Sequence, residues 1–177
     1  MKAVLFVVGI IMVTAACNKK DDGPTLDFDI AVPVDWKYYV LSNDNVVYYA
    51  QSPLKTSQND SVSEDLVITK NSAPGMSLSS FYTAYLADLD DDTTYHPVST
   101  VDTTINEVDA IKFTHLQTIY AVNTANNDTV HLNAKIQKYL MMHNNYGYVV
   151  SFNALTDTFD DYQEIFDNII SSFIFKE

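Results

Sequence analysis

The residues of this 177-residue chain best equipped for chemistry are few and scattered. Its histidines, His96, His115, His131 and His143, include no pair at the i, i+4 spacing by which a helix presents two ligands to a metal. His115 and His131 fall in strand-like segments and are expected to be able to face each other across a ladder. Packed or solvated strand histidines remain the commoner alternative to a ligand or general base. The glycines, Gly9, Gly23, Gly75 and Gly147, cannot write a phosphate-cradling loop, a dinucleotide fingerprint or a nucleophile elbow. No local spacing supports a Ser-His-Asp triad. Cys17 is the single cysteine, which excludes an internal disulfide and a Cys-pair zinc site. No catalytic residue and no cofactor is expected.

One acidic cluster is a weak metal candidate. Asp88, Asp90, Asp91 and Asp92 close a predicted helix, where the dipole disfavours anions by about 0.3–1 kcal/mol each. Bound Ca²⁺ would relieve this with oxygen ligands, although the stretch lacks the loop glycine and distal glutamate of an EF-hand. A helix that stops near Ala87 avoids most of the cost, so a solvated acidic turn is the preferred reading and a Ca²⁺-stabilised module the lesser one.

The charge balance narrows the partners. Ten cations, all lysine, stand against 23 acids for a net −13. Such a chain neutralises a phosphate backbone poorly, so no nucleic-acid partner is expected. With 47% hydrophobic and 19% charged residues, the composition suits one core-forming domain.

The elements that would position these residues read as strands, a helix, strands and a final helix. Leu26, Phe28, Ile30 and Val32 lie on one face of an extended segment, and Val46–Ala50 and Asp65–Thr69 are β-branched or aromatic runs. Ser52–Glu64 is polar and predicts a loop. Leu78, Phe81, Tyr82, Tyr85, Leu86 and Leu89 recur at helical spacing after Ser77, an expected N-cap. Tyr95–Val101 and Val108–Val122 return to strand composition. Val130, Leu132, Ala134 and Ile136 alternate with polar residues, predicting a strand with one face partly wet. Asn144–Gly147 predicts a hairpin into Tyr148–Phe152. The last helix carries the stripe Phe159, Tyr162, Ile165, Phe166, Ile169, Ile170 and Phe173, opened by an expected capping box over Thr158–Asp161. The adjacent tyrosines Tyr38-Tyr39 and Tyr48-Tyr49 alternate faces, so one of each pair is expected to be exposed, available to stack on sugars or peptides.

The chain start has the order of an export signal: Lys2, the apolar run Ala3–Val13, then small residues before Cys17. The run is shorter than the roughly 20 residues a spanning helix needs. Thr14-Ala15-Ala16-Cys17 resembles the lipobox of bacterial lipoproteins, with Thr14 in place of the usual aliphatic residue. The resemblance implies a signal peptide over 1–16, a fatty-acylated Cys17 as mature N-terminus, a tether over 17–25 and a single domain over 26–177. Lys20-Asp21-Asp22 is similar to the surface-export tags of Bacteroidetes lipoproteins. Asp60-Ser61-Val62, Asp92-Thr93-Thr94, Asp102-Thr103-Thr104 and Asp128-Thr129-Val130 resemble the O-glycosylation acceptor motif of the same phylum, making Ser61, Thr93, Thr103 and Thr129 weak candidates for modification.

The order of elements, the Pro33-Val34-Asp35-Trp36 step, and Tyr148–Phe152 running into a helix that ends Ser172-Phe173 resemble the PsbP-like superfamily over about Asp27–Phe175. This implies an α+β fold: a largely antiparallel sheet packed by helices in an α/β/α sandwich. The superfamily brings no shared catalytic residues. The expected protein is a lipid-anchored, non-catalytic binding or accessory module of the outer membrane or cell surface, for a protein or glycan partner. An exported hydrolase is the alternative.

Overall fold

The computed structural model describes residues 26–39, 45–53, 63–89, 94–122 and 129–177. In chain order these form β1 (Phe28–Asp29), β2 (Lys37–Tyr38), β3 (Val46–Gln51), β4 (Asp65–Ser72), α1 (Leu78–Leu89), β5 (Tyr95–Ile105), β6 (Val108–Val122), β7 (Thr129–His143), β8 (Tyr146–Leu155), α2 (Phe159–Ser171) and β9 (Ile174–Phe175). Seven strands make one antiparallel sheet in the order β2-β3-β4-β8-β7-β6-β5, and β1 pairs with β9 in a separate two-stranded ribbon. The helices pack on opposite faces. This is the α+β sandwich that the resemblance implies.

The face under α2 holds the main core. Leu66 and Ile68 of β4, Tyr148, Val150 and Phe152 of β8, and Tyr139 and Met141 of β7 meet Phe159, Tyr162, Phe166, Ile169 and Ile170. Every member of the predicted apolar stripe is buried here or packs against this core. Helix period and strand period therefore agree on a single buried interface, the condition for a unique fold. The opposite core is smaller: Phe81 of α1 with Ala73, Leu140 and Val149, flanked by Leu78, Tyr82, Tyr85 and Met142.

Several local expectations are corrected. Leu26–Val32 is not one strand, because β9 offers only two ladder partners, and beyond them Ser172 Oγ accepts from the Ala31 amide at 2.8 Å. Ser77 does cap α1, accepting from the Ser80 amide at 3.1 Å. That helix runs on to Leu89, two residues past the expected stop. No capping box opens α2: Thr158 is the N-cap residue without a side-chain cap bond, because its hydroxyl donates instead to Glu64 Oε1 at 3.1 Å. Asp160 pairs with Lys135 at 3.1 Å. The hairpin turn between β7 and β8 is Asn144-Asn145 alone, both at positive φ (47° and 65°), as a two-residue primed turn requires. Asn106-Glu107 repeats this geometry between β5 and β6 (46° and 70°) without an Asn-Gly signal.

The first described residues are pinned. Lys70 Nζ donates to Asp27 Oδ2 at 2.5 Å, the Tyr148 hydroxyl donates to the same oxygen, and Lys176 Nζ donates to the Leu26 carbonyl at 3.2 Å. Burial raises the Asp27 pKa, but the bonds from Lys70 and Tyr148 outweigh it and hold the carboxyl below its usual range.

Candidate functional site: an open sheet face beside the first helix

Helix α1 covers only part of its side of the sheet, lying over β6 and β7. Beyond it the same face of β8, β4, β3 and β2 carries side chains that strand alternation keeps out of the main core. Cross-strand register sets them in two rows. One row runs Lys37, Gln51, Asp65 and Asn153, and the next runs Tyr49, Val67, Ser151 and Lys138. Tyr39 extends the second row, its amide bonded to the Tyr49 carbonyl at 3.0 Å and its ring 5.7 Å from the Tyr49 ring. Lys37 is exposed and the other residues of both rows are partly exposed. A central sheet face with this much polarity that no element among the described residues fully covers is unusual, because most such faces are buried by apolar residues.

Two charges on this face are strained by their surroundings. Burial, reinforced by the neighbouring Glu64 charge, pushes the Asp65 carboxyl up to about 7, against the pull of a hydrogen bond from the Asn153 amide. Asp65 thus binds its proton more tightly folded than unfolded, where the value is 3.8. Its stabilising contribution is complete below pH 3.8 and is lost as pH rises through about 7. Burial also brings the Lys138 ammonium down to about 8, and that ammonium donates to the Tyr85 hydroxyl at 2.5 Å. Tyr49 is raised by burial and then by the nearby Asp65. Groups that the fold makes costly are typical of a surface that meets a ligand.

Ser151 stands opposite Lys138 and has the residue type of a nucleophile beside a base. The Lys138 ammonium, however, is directed to Tyr85, and β8 is laddered on both sides at Ser151, to Val67 and to Lys138. Its backbone is therefore not arranged to receive an oxyanion. The face offers donors, acceptors and aromatic edges, which is the chemistry of recognition.

The predicted residues fall elsewhere. His115 and His131 do not face each other: His115 pairs with Ile136 and His131 with Tyr120, five positions along the ladder and on opposite faces. His115 is fully buried and stacked on Phe113 at 5.1 Å, while His131 is exposed against Tyr120. His96 is exposed on β5, and His143 stacks on Phe175 at 4.2 Å. Asp88 is exposed in the last turn of α1, and Asp90, Asp91 and Asp92 lie outside the described residues. Among the described residues no group of three His, Cys, Asp or Glu is placed to hold a metal. Thr103 is half-buried on β5 and Thr129 exposed at the start of β7; Cys17, Ser61 and Thr93 lie outside the described residues.

The tyrosine pairs follow their alternation, and the expected exposure holds for Tyr38-Tyr39 but not for Tyr48-Tyr49. Tyr38 stacks across to Tyr48 on the α2 side and Tyr39 to Tyr49 on the other, and only Tyr38 is exposed, at 42%. The polar side of β7 is wet at His131 and Asn133, yet Gln137 is buried and donates to the Tyr139 hydroxyl at 3.0 Å. Sequence reading also missed Glu64, which is buried and accepts from Ser52 Oγ at 2.6 Å as well as from Thr158. A lone acid at the edge of a polar loop gives no signal of burial.

No helix among the described residues is long and apolar enough to cross a membrane. No family model matches the chain, and no curated protein matches it. Solved structures do. LpqN of Mycobacterium tuberculosis, involved in cell envelope biogenesis, aligns with a TM-score of 0.57 at 12% identity, over 85% of this chain and 83% of its own. PA94 of Pseudomonas aeruginosa, a protein of unknown function, aligns at 0.59 with 8% identity, over 80% and 98%. Cyanobacterial PsbP (CyanoP) from Synechocystis sp. PCC 6803 aligns at 0.53 with 10% identity, over 91% and 98%. The chain therefore has the PsbP-like α+β fold.

Proposed function

We propose that this protein is an exported, lipid-anchored, non-catalytic binding or accessory module of the bacterial outer membrane or cell surface. Its partner, a protein segment or a glycan, docks on the open face between α1 and β2. The observation that carries the reading is that face: Tyr39 and Tyr49 supply aromatic surface, Asp65 and Asn153 supply an acid–amide pair, and Lys138 supplies a donor, all on one rigid sheet. A fold alone does not give a function; the envelope role of LpqN agrees with this reading and does not carry it.

The anchor is supported by the lipobox-like Thr14–Cys17. Two acyl chains at roughly 0.8 kcal/mol per buried methylene exceed ~20 kcal/mol, so a protein so modified would stay on its membrane. Intact-mass spectrometry of native protein tests this. The expected mass is that of a chain starting at a diacylated Cys17, and an unmodified thiol or a chain starting at Met1 overturns the anchor.

A further inference from the structure

The sheet ends at two edges of very different character. At one, β2 is two residues long; at the other, β5 is eleven. Among the described residues no strand pairs with the outer side of β5. Residues 96–102 are exposed without alternation, and Val98 and Val101 are 57% and 55% exposed; the Tyr82 hydroxyl of α1 reaches Thr100 Oγ1 at 2.9 Å, but among the described residues both faces of this stretch stay largely accessible. A long, flat, β-branched edge is a template for another strand, and proteins ordinarily blunt it with lysine, proline or a bulge. Here Pro97 and the irregularity between Pro97 and Ser99 protect only the first part. Ser99–Ile105 carries no lysine and one charge, Asp102.

Register decides what fits this edge. In a two-residue hairpin the pair flanking the turn, Ile105–Val108, exchanges both backbone hydrogen bonds, and bonded and non-bonded pairs then alternate. Thr103 and Val101 thus bond inward to β6, while Thr100, Asp102 and Thr104 turn their N–H and C=O groups outward. A second β5 set antiparallel about Val101 satisfies these groups reciprocally, Thr100 with Asp102 of the other copy and the reverse. Val101 then meets itself in a non-bonded pair, with Ser99 opposite Thr103. Like charges do not oppose each other, apolar meets apolar, and hydroxyl meets hydroxyl or carboxylate. Centring on Asp102 would set two carboxylates face to face, and centring on Thr100 would bring Pro97 into the ladder.

We infer that β5 is a self-complementary edge through which two copies of this chain join, extending the sheet across a two-fold axis at Val101. The acidity of each copy opposes association, but the joining segment holds one charge per copy, and salt screens the remainder over about 8 Å.

Cysteine pairs in the full-length chain, oxidised in intact cells and read on a non-reducing gel, test the register. Non-bonded antiparallel neighbours sit about 4.5 Å apart at Cα, within disulfide reach. V101C is expected to give at least about fivefold more dimer than the unmodified chain, which retains Cys17. T103C alone, about four residues from its own copy, stays at the unmodified level, and S99C with T103C in one chain restores the dimer. V101K, read by sedimentation of the purified full chain, shifts the dimer to monomer by setting two ammonium groups together. Equal crosslinking of V101C and T103C, or sedimentation as a monomer at every concentration without any substitution, overturns the inference.

Discussion

Phe166→Ala will cost about 3–5 kcal/mol of folding free energy, the largest loss expected from a single core truncation in this protein. Phe166 is fully buried at the centre of α2, and its ring meets Phe152 at 4.6 Å, Phe159 at 5.6 Å, Tyr162 at 6.2 Å and Trp36 at 6.4 Å. Those neighbours come from β8, from α2 itself and from the turn in which the Trp36 amide donates to the Pro33 carbonyl at 3.0 Å. Backbone ladders on one side and helix geometry on the other prevent them from collapsing into the space. The melting temperature is expected to fall by about 10 °C. Urea denaturation followed by far-UV circular dichroism checks the energy, and the fluorescence of Trp36, the only tryptophan, reports the lost contact. A cost below about 1 kcal/mol would mean that α2 is not held to the sheet as described.

The second large effect acts on the other face. Any Cβ at Gly147 would stand 2.3 Å from the Phe81 ring, far inside contact distance. Phe81 is buried and carries α1 onto the sheet, so the ring cannot yield without moving the helix. Gly147→Ala is expected to destabilise by about 1–3 kcal/mol through overpacking. In a Phe81→Ala background the same substitution is expected to cost almost nothing, a coupling of about 1–3 kcal/mol measurable in a double-mutant cycle. Additive effects would contradict the packing. The lesion would also disturb the open face, because Tyr85 of that helix holds Lys138.

How much of this was legible in the sequence follows from what each element rests on. The stripe of α2 and the alternation of β7 rest on periodicity; α2 and β6 emerge with nearly their predicted bounds, whereas β7 runs on from Ile136 to His143 and β8 extends from Tyr148–Phe152 to Tyr146–Leu155. The two-residue strands β1, β2 and β9 rest on tertiary partners. Phe28 and Asp29 form a ladder only because Ile174 and Phe175 return beside them, across a separation that local pattern does not encode. The Asn106-Glu107 turn escaped for a similar reason: Glu107 at φ 70° is unfavourable locally and is tolerated because the strands on both sides impose it, while Asn106 Nδ2 donates to the Phe173 carbonyl at 2.7 Å.

The candidate face was legible only in kind. Alternation predicted tyrosines on both sides of β3 and a partly wet face on β7, but not that the polar face would lie on β4 and β8. Neither Asp65 nor Lys138 stands out as a residue type in a chain rich in acids. Both become notable because register sets them on the side of the sheet away from the main core, beside Asn153 and Tyr85, and burial then shifts them in opposite directions. The histidines and the acidic cluster attracted attention through their chemistry, yet the topology distributes the four histidines to four separate places.

Use of the open face is the central claim, and site-directed photocrosslinking in living cells tests it most directly. A photoreactive residue at Val67, in the middle of the face, is compared with one at Glu164, exposed on the outer side of α2. The account predicts a discrete adduct from Val67 that Tyr49→Ala weakens several-fold, with none from Glu164. Equal adducts from the two positions, or an adduct from Val67 that Tyr49→Ala leaves unchanged, would contradict it.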